Sequence, residues 1–308
     1  MLDKPSLAQR LNPAQNAPVV IAVLLMVDSL HFVFARLLVP YLPGGTSAFY
    51  VLAIATVEVA IFLAIRREIH FDVFRGNLRF FLIIGLLVAT STTFNYVAVA
   101  YIDPGTASLL AQTSTIFALA LSLIWLREHL NRLEVVGGLV AVMGVFIIDF
   151  QTGDYWQLGS LLVLASSFMY ALHAAIVKRH GGELDFRNFF LWRVASTTGF
   201  LLIFTVARDQ LVWPEPRAWI ILVAAGTIDV VISRMLYYLA LRRLRMSFHT
   251  VILTLSPVIT ILWSIALFGE LPTLQGLIGG AAVLAGVAII TVDRSRTKEP
   301  QQARQVVE

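Results

Sequence analysis

The chain has 308 residues, 58% of them hydrophobic and only 14% charged, with a mean hydropathy of +0.80. A soluble domain is normally about a quarter charged, so this composition excludes a soluble globular enzyme, a disordered chain and a fibrous protein. The formal charge of +4 and a pI of about 9.6 would suit a nucleic-acid binder, but in a membrane protein the placement of charge matters more than its sum.

The apolar residues, about 180 of them, are enough for eight to ten membrane spans of ~20 residues each. A β-barrel would show weak alternation in place of these long unbroken runs. The absence of cysteine excludes disulfides, thiolate metal sites and cysteine nucleophiles.

Residues 1–17 are polar, contain Pro5 and Pro13, and do not form a signal peptide. Ten apolar segments follow, at 18–40, 46–65, 78–100, 106–127, 133–150, 156–178, 188–207, 217–241, 247–268 and 274–292. The tail after Arg294 is polar and is expected to be disordered. With the N-terminus on the cytoplasmic side, the inner segments carry 18 of the Lys and Arg residues, among them Arg66, Arg67, Arg75, Arg242 and Arg243. The outer loops carry only Arg208 and Arg217. This asymmetry orients a multi-pass protein of the cytoplasmic (inner) membrane with both termini inside.

A shift of 142 residues lays the second half on the first without a gap. His31 meets His173, Tyr96 meets Tyr238, Ser114 meets Ser256 and Glu128 meets Glu270. Gly137, Gly138 and Gly144 meet Gly279, Gly280 and Gly286. Each copy holds five spans, an odd number, so the second copy enters the membrane from the opposite side. The expectation is an all-α polytopic membrane protein of ten transmembrane helices in two inverted five-helix repeats, 18–150 and 151–293. Tails at 1–17 and 294–308 flank them. Secondary transporters are often built this way, with the binding site near the midplane between the halves.

The run Leu255-Ser256-Pro257-Val258, then Gly269-Glu270-Leu271-Pro272 and Gly279-Gly280, resembles the end of an EamA domain. Glu128, Gly137-Gly138 and Gly144-Val145 give a weaker form in the first half. Two such copies resemble the drug/metabolite transporter superfamily. The resemblance implies a small-metabolite carrier with a central cavity lined mainly by helices 1, 3, 4, 6, 8 and 9. Thr115 where the second copy has Pro257, and Asp28 in place of a Trp-Gly-type start, depart from the pattern.

A charge at mid-span costs at least ~2.5–3.5 kcal/mol, so each needs a partner or water. Six fall inside spans: Asp28, Glu58, Asp229, Arg36, Arg193 and Arg234. Asp28 and His31, three apart, share a helix face and read as a proton or substrate site, or as a buried pair that locks helix 1. His173 faces the same axis or reaches headgroups from the cytoplasmic end. Asp229 and Arg234 are substrate candidates, because a guanidinium fork suits a carboxylate or phosphate; the alternative is a permanent ion pair. Glu58 is an ion-pair support, with Glu58–Arg234 or Asp28–Arg234 as pairs. Arg36 and Arg193 read as anchors that snorkel to the membrane surface.

Gln112, Thr254 and Ser256 supply polar groups on helices 4 and 9, and Pro257 frees a carbonyl near Leu253 or bends helix 9. Asn95-Tyr96 and Tyr237-Tyr238 read as gates or as interfacial aromatics. Gly137, Gly138, Gly144, Gly276, Gly279, Gly280 and Gly286 read as helix-packing positions.

The expected function is a secondary carrier that moves a small polar metabolite, an amino acid or related organic ion, outward by alternating access. Protons are a candidate coupling ion, the lipid bilayer is the partner, and the chain is a monomer or homodimer. Neither a metal nor a cofactor is expected, nor nucleic acid. An intramembrane enzyme lacks its motifs, with no HExxH and no GxSxG. A sensor or scaffold lacks an output domain, and a channel lacks a ring of like charges.

Overall fold

The computed structural model describes residues 17–125, 131–149, 158–180, 184–236 and 255–305. Among the described residues every regular element is helical and there is no strand. Lipid dictates this, since backbone polar groups with no water nearby must be paired within their own segment.

The chain starts as α1 (Ala17–Asp28) and α2 (His31–Leu38), which together occupy the first apolar run. Next come α3 (Gly44–Ile65), the short α4 (Phe71–Gly76) and α5 (Leu78–Ala98). The fourth run is again two pieces, α6 (Pro104–Ala111) and α7 (Thr113–Ile124), followed by α8 (Arg132–Asp149). In the second half α9 (Leu158–His180) and α10 (Phe186–Ala207) are continuous. The next helix, α11 (Pro216–Ala224), passes into a π-helical stretch over Ala225–Ile232 and carries on to Leu236. The last two helices are α12 (Ser256–Phe268) and α13 (Leu274–Gln305). Among the described residues five helices are long and apolar enough to cross a membrane: α3, α5, α9, α10 and the stretch Pro216–Leu236.

Local chemistry sets many of these ends. Asp103 caps α6, accepting from the Thr106 amide at 2.9 Å, with Pro104 at the first helical position, where its missing N–H costs nothing. Asp185 caps α10 through the Asn188 amide at 3.1 Å. Pro257 falls in the first turn of α12, so it opens the described helix; residues 237–254, with Leu253 and Thr254, lie outside the described residues. The expected disorder after Arg294 is not found: α13 continues to Gln305, through residues such as Arg, Lys, Glu and Gln that favour helix.

Large apolar side chains such as Leu139, Ile203, Ile220 and Leu262 lie exposed on the outside. In water such a surface would drive association, whereas in a bilayer it is the lipid-facing side. The chain is therefore a multi-pass membrane protein.

Two helix pairs organise the interior, α3 with α10 and α8 with α13. Both run antiparallel, the start of one helix against the end of the other. Thr56 and Thr198, themselves 142 residues apart, share a hydroxyl hydrogen bond of 2.9 Å. Thr46 donates to the Gln210 carbonyl at 2.6 Å, and Asn188, shifted by 142, donates to the Glu68 carbonyl at 3.0 Å. A Cβ at Gly144 would lie 2.5 Å from the Gly279 carbonyl oxygen, and one at Gly279 would lie 2.6 Å from that of Gly144. Gly137 and Gly286 repeat this at 2.7 and 2.4 Å. Reciprocal contact of this form is what a two-fold relation between helices produces.

Five of the packing glycines thus stand where a side chain would collide, the fifth being Gly280, whose Cβ would meet Leu109 at 2.4 Å. Gly138 has more room, with Leu119 at 3.7 Å, and a Cβ at Gly276 would meet Thr273 at 3.3 Å, Pro272 at 3.6 Å and Thr106 at 3.8 Å.

Candidate substrate site

The backbone is irregular where charge enters the bilayer. Between α1 and α2 the helical ladder breaks at Ser29 and Leu30, two residues that carry no glycine or proline signal. The break is held by tertiary partners. The Thr260 hydroxyl donates to the Ser29 carbonyl at 2.9 Å, and the Trp263 indole donates to the Ser29 hydroxyl at 3.1 Å. This capture satisfies a carbonyl that would otherwise be orphaned in lipid. Asp28 ends one piece and His31 begins the next.

On the facing helix, Asp229 sits within the π-helical stretch, a local widening frequent at functional sites. His31 Nδ1 and Asp229 Oδ2 are 2.8 Å apart. The Asp229 side chain is 8% exposed and that of His31 30%. His31 is nonetheless deep within the bundle, so its open surface faces an internal space. The Tyr96 ring, 1% exposed, meets His31 edge-on at 5.8 Å, and Phe32 does so at 5.1 Å.

Tyr170 is 36% exposed, with its hydroxyl in hydrogen-bonding reach of Arg234. Its ring lies 5.5 Å from that of His173, which is 7% exposed. Neither ring nitrogen of His173 has a side-chain hydrogen-bond partner among the described residues. Arg193 and Arg234 act electrostatically on both Tyr170 and His173, and Asp28 acts on His31 and Tyr170. The site therefore mixes both signs of charge: Asp28 and Arg234 each act on both His31 and Tyr170, Asp229 acts on His31, and Arg193 acts on Tyr170 and His173. Among the described residues no three His, Asp or Glu side chains gather to hold a metal.

The EamA-like transporter family profile matches residues 17–149 and again 157–292. The chain belongs to the EamA-like transporter family. An uncharacterized transporter of Bacillus subtilis, YdfC, is 27% identical over 60% of this chain and 62% of its own length. A protein of Streptantibioticus cattleyicolor named "Probable terminal-alkyne amino-acid exporter" is 25% identical over 62% of this chain and 65% of its own. The riboflavin transporter of Vibrio cholerae is 26% identical over 64% of this chain and 65% of its own. The chain thus spans somewhat less than two thirds of each of these relatives. A solved crystal structure aligns over 90% of this chain and 98% of its own with a TM-score of 0.62; at 18% identity it shows the fold alone. The matched family and the printed names of these relatives are those of transporters.

Within the chain, the structure brings together Asp28, His31, His173, Asp229 and Arg234. It changes their pairing. Asp28 and His31 flank a helix break and no longer share one continuous helical face, and the hydrogen-bonded carboxylate at His31 is Asp229. Glu58 accepts a hydrogen bond from Thr227 at 2.6 Å, inside the π-helical stretch. His173 is buried in the bundle and does not reach headgroups.

Arg193 turns inward to Tyr170 and His173, so the anchor role expected for it does not hold. Arg36 is also no anchor: it donates to the Val99 carbonyl at 2.6 Å and pairs with Glu270. Gln112 lies at the break between α6 and α7, and Ser256 is buried at the start of α12. Of the expected gates, Tyr96 is a wall of the His31 site, the Asn95 side-chain oxygen is buried beside it in sequence, and Tyr237 and Tyr238 lie outside the described residues. Tyr170 escaped the sequence reading, because an aromatic in an apolar helix carries no local signal.

Proposed function

We propose that this chain is a secondary carrier for a small zwitterionic metabolite, an amino acid or a relative of one, which it exports by alternating access between two inverted five-helix halves. On this proposal ten transmembrane helices cross the cytoplasmic membrane and both termini are cytoplasmic. The observation that carries the proposal is the buried His31–Asp229 pair at 2.8 Å, with Arg234 and Asp28 within electrostatic reach of it. A substrate carboxylate suits Arg234, whose guanidinium offers a planar fork. A substrate ammonium suits Asp229 and Asp28. The reciprocal contacts of Thr46 with Gln210 and Asn188 with Glu68 support the inverted halves. The name of the Streptantibioticus relative, an amino-acid exporter, agrees with the substrate class.

The same geometry suggests coupling. Asp229 can serve an imidazolium at His31 or a substrate ammonium, but not both at full strength. Binding substrate then favours loss of the proton, which is the logic of proton antiport. Tyr96, Tyr170, Asp28 and Arg234 are the other titratable or charged groups that face this pair.

The test is ligand-induced thermal stabilisation over a panel of amino acids, simple amines and simple carboxylic acids. Zwitterions should stabilise the wild type most. Asp229→Asn and Arg234→Gln should each weaken binding by at least about tenfold, the scale of one lost buried charge contact. Equal stabilisation by amines, acids and zwitterions would contradict the proposal.

A further inference from the structure

Arg36 is a charge inside the bundle that the substrate site does not use. It extends from α2 and joins two other elements, the Val99 carbonyl just past the end of α5 and the Glu270 carboxylate just past the end of α12. Both side chains are half-buried, 26% exposed for Arg36 and 30% for Glu270. Gly269, at φ +66°, closes α12 in a left-handed turn that a side chain would strain, and it delivers Glu270 directly after the helix.

The position of this junction relative to the substrate site gives it a role. His31 and Arg36 lie on the same helix, about 7.5 Å apart along its axis. Tyr96, which covers His31, and Val99, which accepts from Arg36, lie three residues apart at the end of α5. The junction is therefore the next layer above the substrate site, built from the same two elements. The third element, α12, touches the first helix run twice. Thr260 and Trp263 hold Ser29 at the helix break, level with the site, and Glu270 holds Arg36 above it. The lower contact sits on irregular backbone that can change angle, and the upper contact is one ion pair.

We propose that Arg36 and Glu270 form the latch that closes the substrate site toward their end of the bundle, with the Ser29–Thr260 contact as the pivot on which α2 swings when the latch opens. The proposal rests on the carrier function but not on the identity of the substrate. The sequence carries a like pair in its other half. A shift of 142 sets Lys178 and Glu128 opposite Arg36 and Glu270, although Glu128 lies outside the described residues and is not part of this site.

The chain contains no cysteine, so a single introduced thiol reports cleanly. Val99 is fully buried beneath the latch, and Val99→Cys keeps its carbonyl. In purified protein with no substrate added, this thiol should react slowly with a polar maleimide. Adding Glu270→Gln or Arg36→Gln should speed labelling by at least about fivefold, the scale of a small conformational bias. The double reversal Arg36→Glu with Glu270→Arg should return labelling toward the slow rate, which a merely misfolded single variant would not explain. Unchanged labelling in both single variants, or a double reversal as fast as either single variant, overturns the latch. Since the readout needs no substrate, it stays distinct from failure of the zwitterion proposal.

Discussion

His31 and Asp229 show what a residue can and cannot reveal before its surroundings are known. A histidine and an aspartate in apolar runs are expensive in lipid, and that cost alone marks them as candidates. Their partnership is invisible in sequence because they are 198 positions apart. The local spacing pointed to Asp28, which does act on His31 electrostatically, but the helix stops between the two and the hydrogen-bonded carboxylate is Asp229. Arg36 and Arg193 misled for a related reason. Length lets an arginine snorkel, but a carbonyl or a buried polar cluster within reach is a better partner than the headgroups.

Outside the membrane the same scale yields a pH prediction at Asp185. Its carboxylate accepts from the Asn188 side chain and amide, and these bonds hold it below the usual carboxylate range despite some desolvation. A lowered folded-state value means the carboxylate stabilises the fold above the ordinary value of 3.8 and loses that contribution as pH falls through its lowered value. Asp185→Ala should cost about 1 kcal/mol at pH 7, as lost helix caps do. Thermal unfolding of wild type and variant should converge as the buffer is taken to the acid side of the carboxylate range. A gap that stays constant across that range would assign the effect to packing instead.

At the level of elements, several apolar runs, such as 46–65, 78–100 and 188–207, located described helices to within a few residues, because a membrane-crossing helix is defined by length and hydropathy more than by propensity. The interruptions were not legible. The break at Ser29–Leu30 and the π-helical stretch around Asp229 have no Gly or Pro to announce the first and only Gly226 inside the second. Both are fixed by distant groups, Thr260 and Trp263 in one case, Glu58 through Thr227 in the other.

The glycines are the opposite case, since close helix approach requires them whatever the fold around it. Gly279→Ala places a methyl 2.6 Å from the Gly144 carbonyl oxygen, backbone that cannot step aside. It should cost about 1–3 kcal/mol, the range of overpacking, read as a drop in thermal stability in detergent. Gly138→Ala, with only the Leu119 side chain at 3.7 Å, should be nearly neutral. Equal loss in the two variants would remove the α8–α13 contact as the reason for these glycines.

For the whole molecule, the 142-residue repeat carried the most information, because a repeat with an odd number of crossings can only insert inverted. The reciprocal contacts at Thr56–Thr198 and Gly144–Gly279 are of the kind the proposed inverted halves would make. On the proposed function, an inverted pair of halves would give two arrangements of similar energy that face opposite sides, with a site of mixed charge between them. The scarcity of charge has the same origin. Of the 42 charged residues most lie at ends and in tails; those retained inside are the ones proposed to bind substrate, and Arg36 pairs with Glu270.

The most direct test of this account is counterflow in proteoliposomes. Vesicles preloaded with an unlabelled zwitterionic amino acid are placed in a trace of its labelled form, with the lumen either equal in pH to the medium or more acidic. The account predicts saturable accumulation of label, greater with the acidic lumen and abolished by Asp229→Asn. Label that merely equilibrates, with no overshoot and no dependence on Asp229, would contradict it.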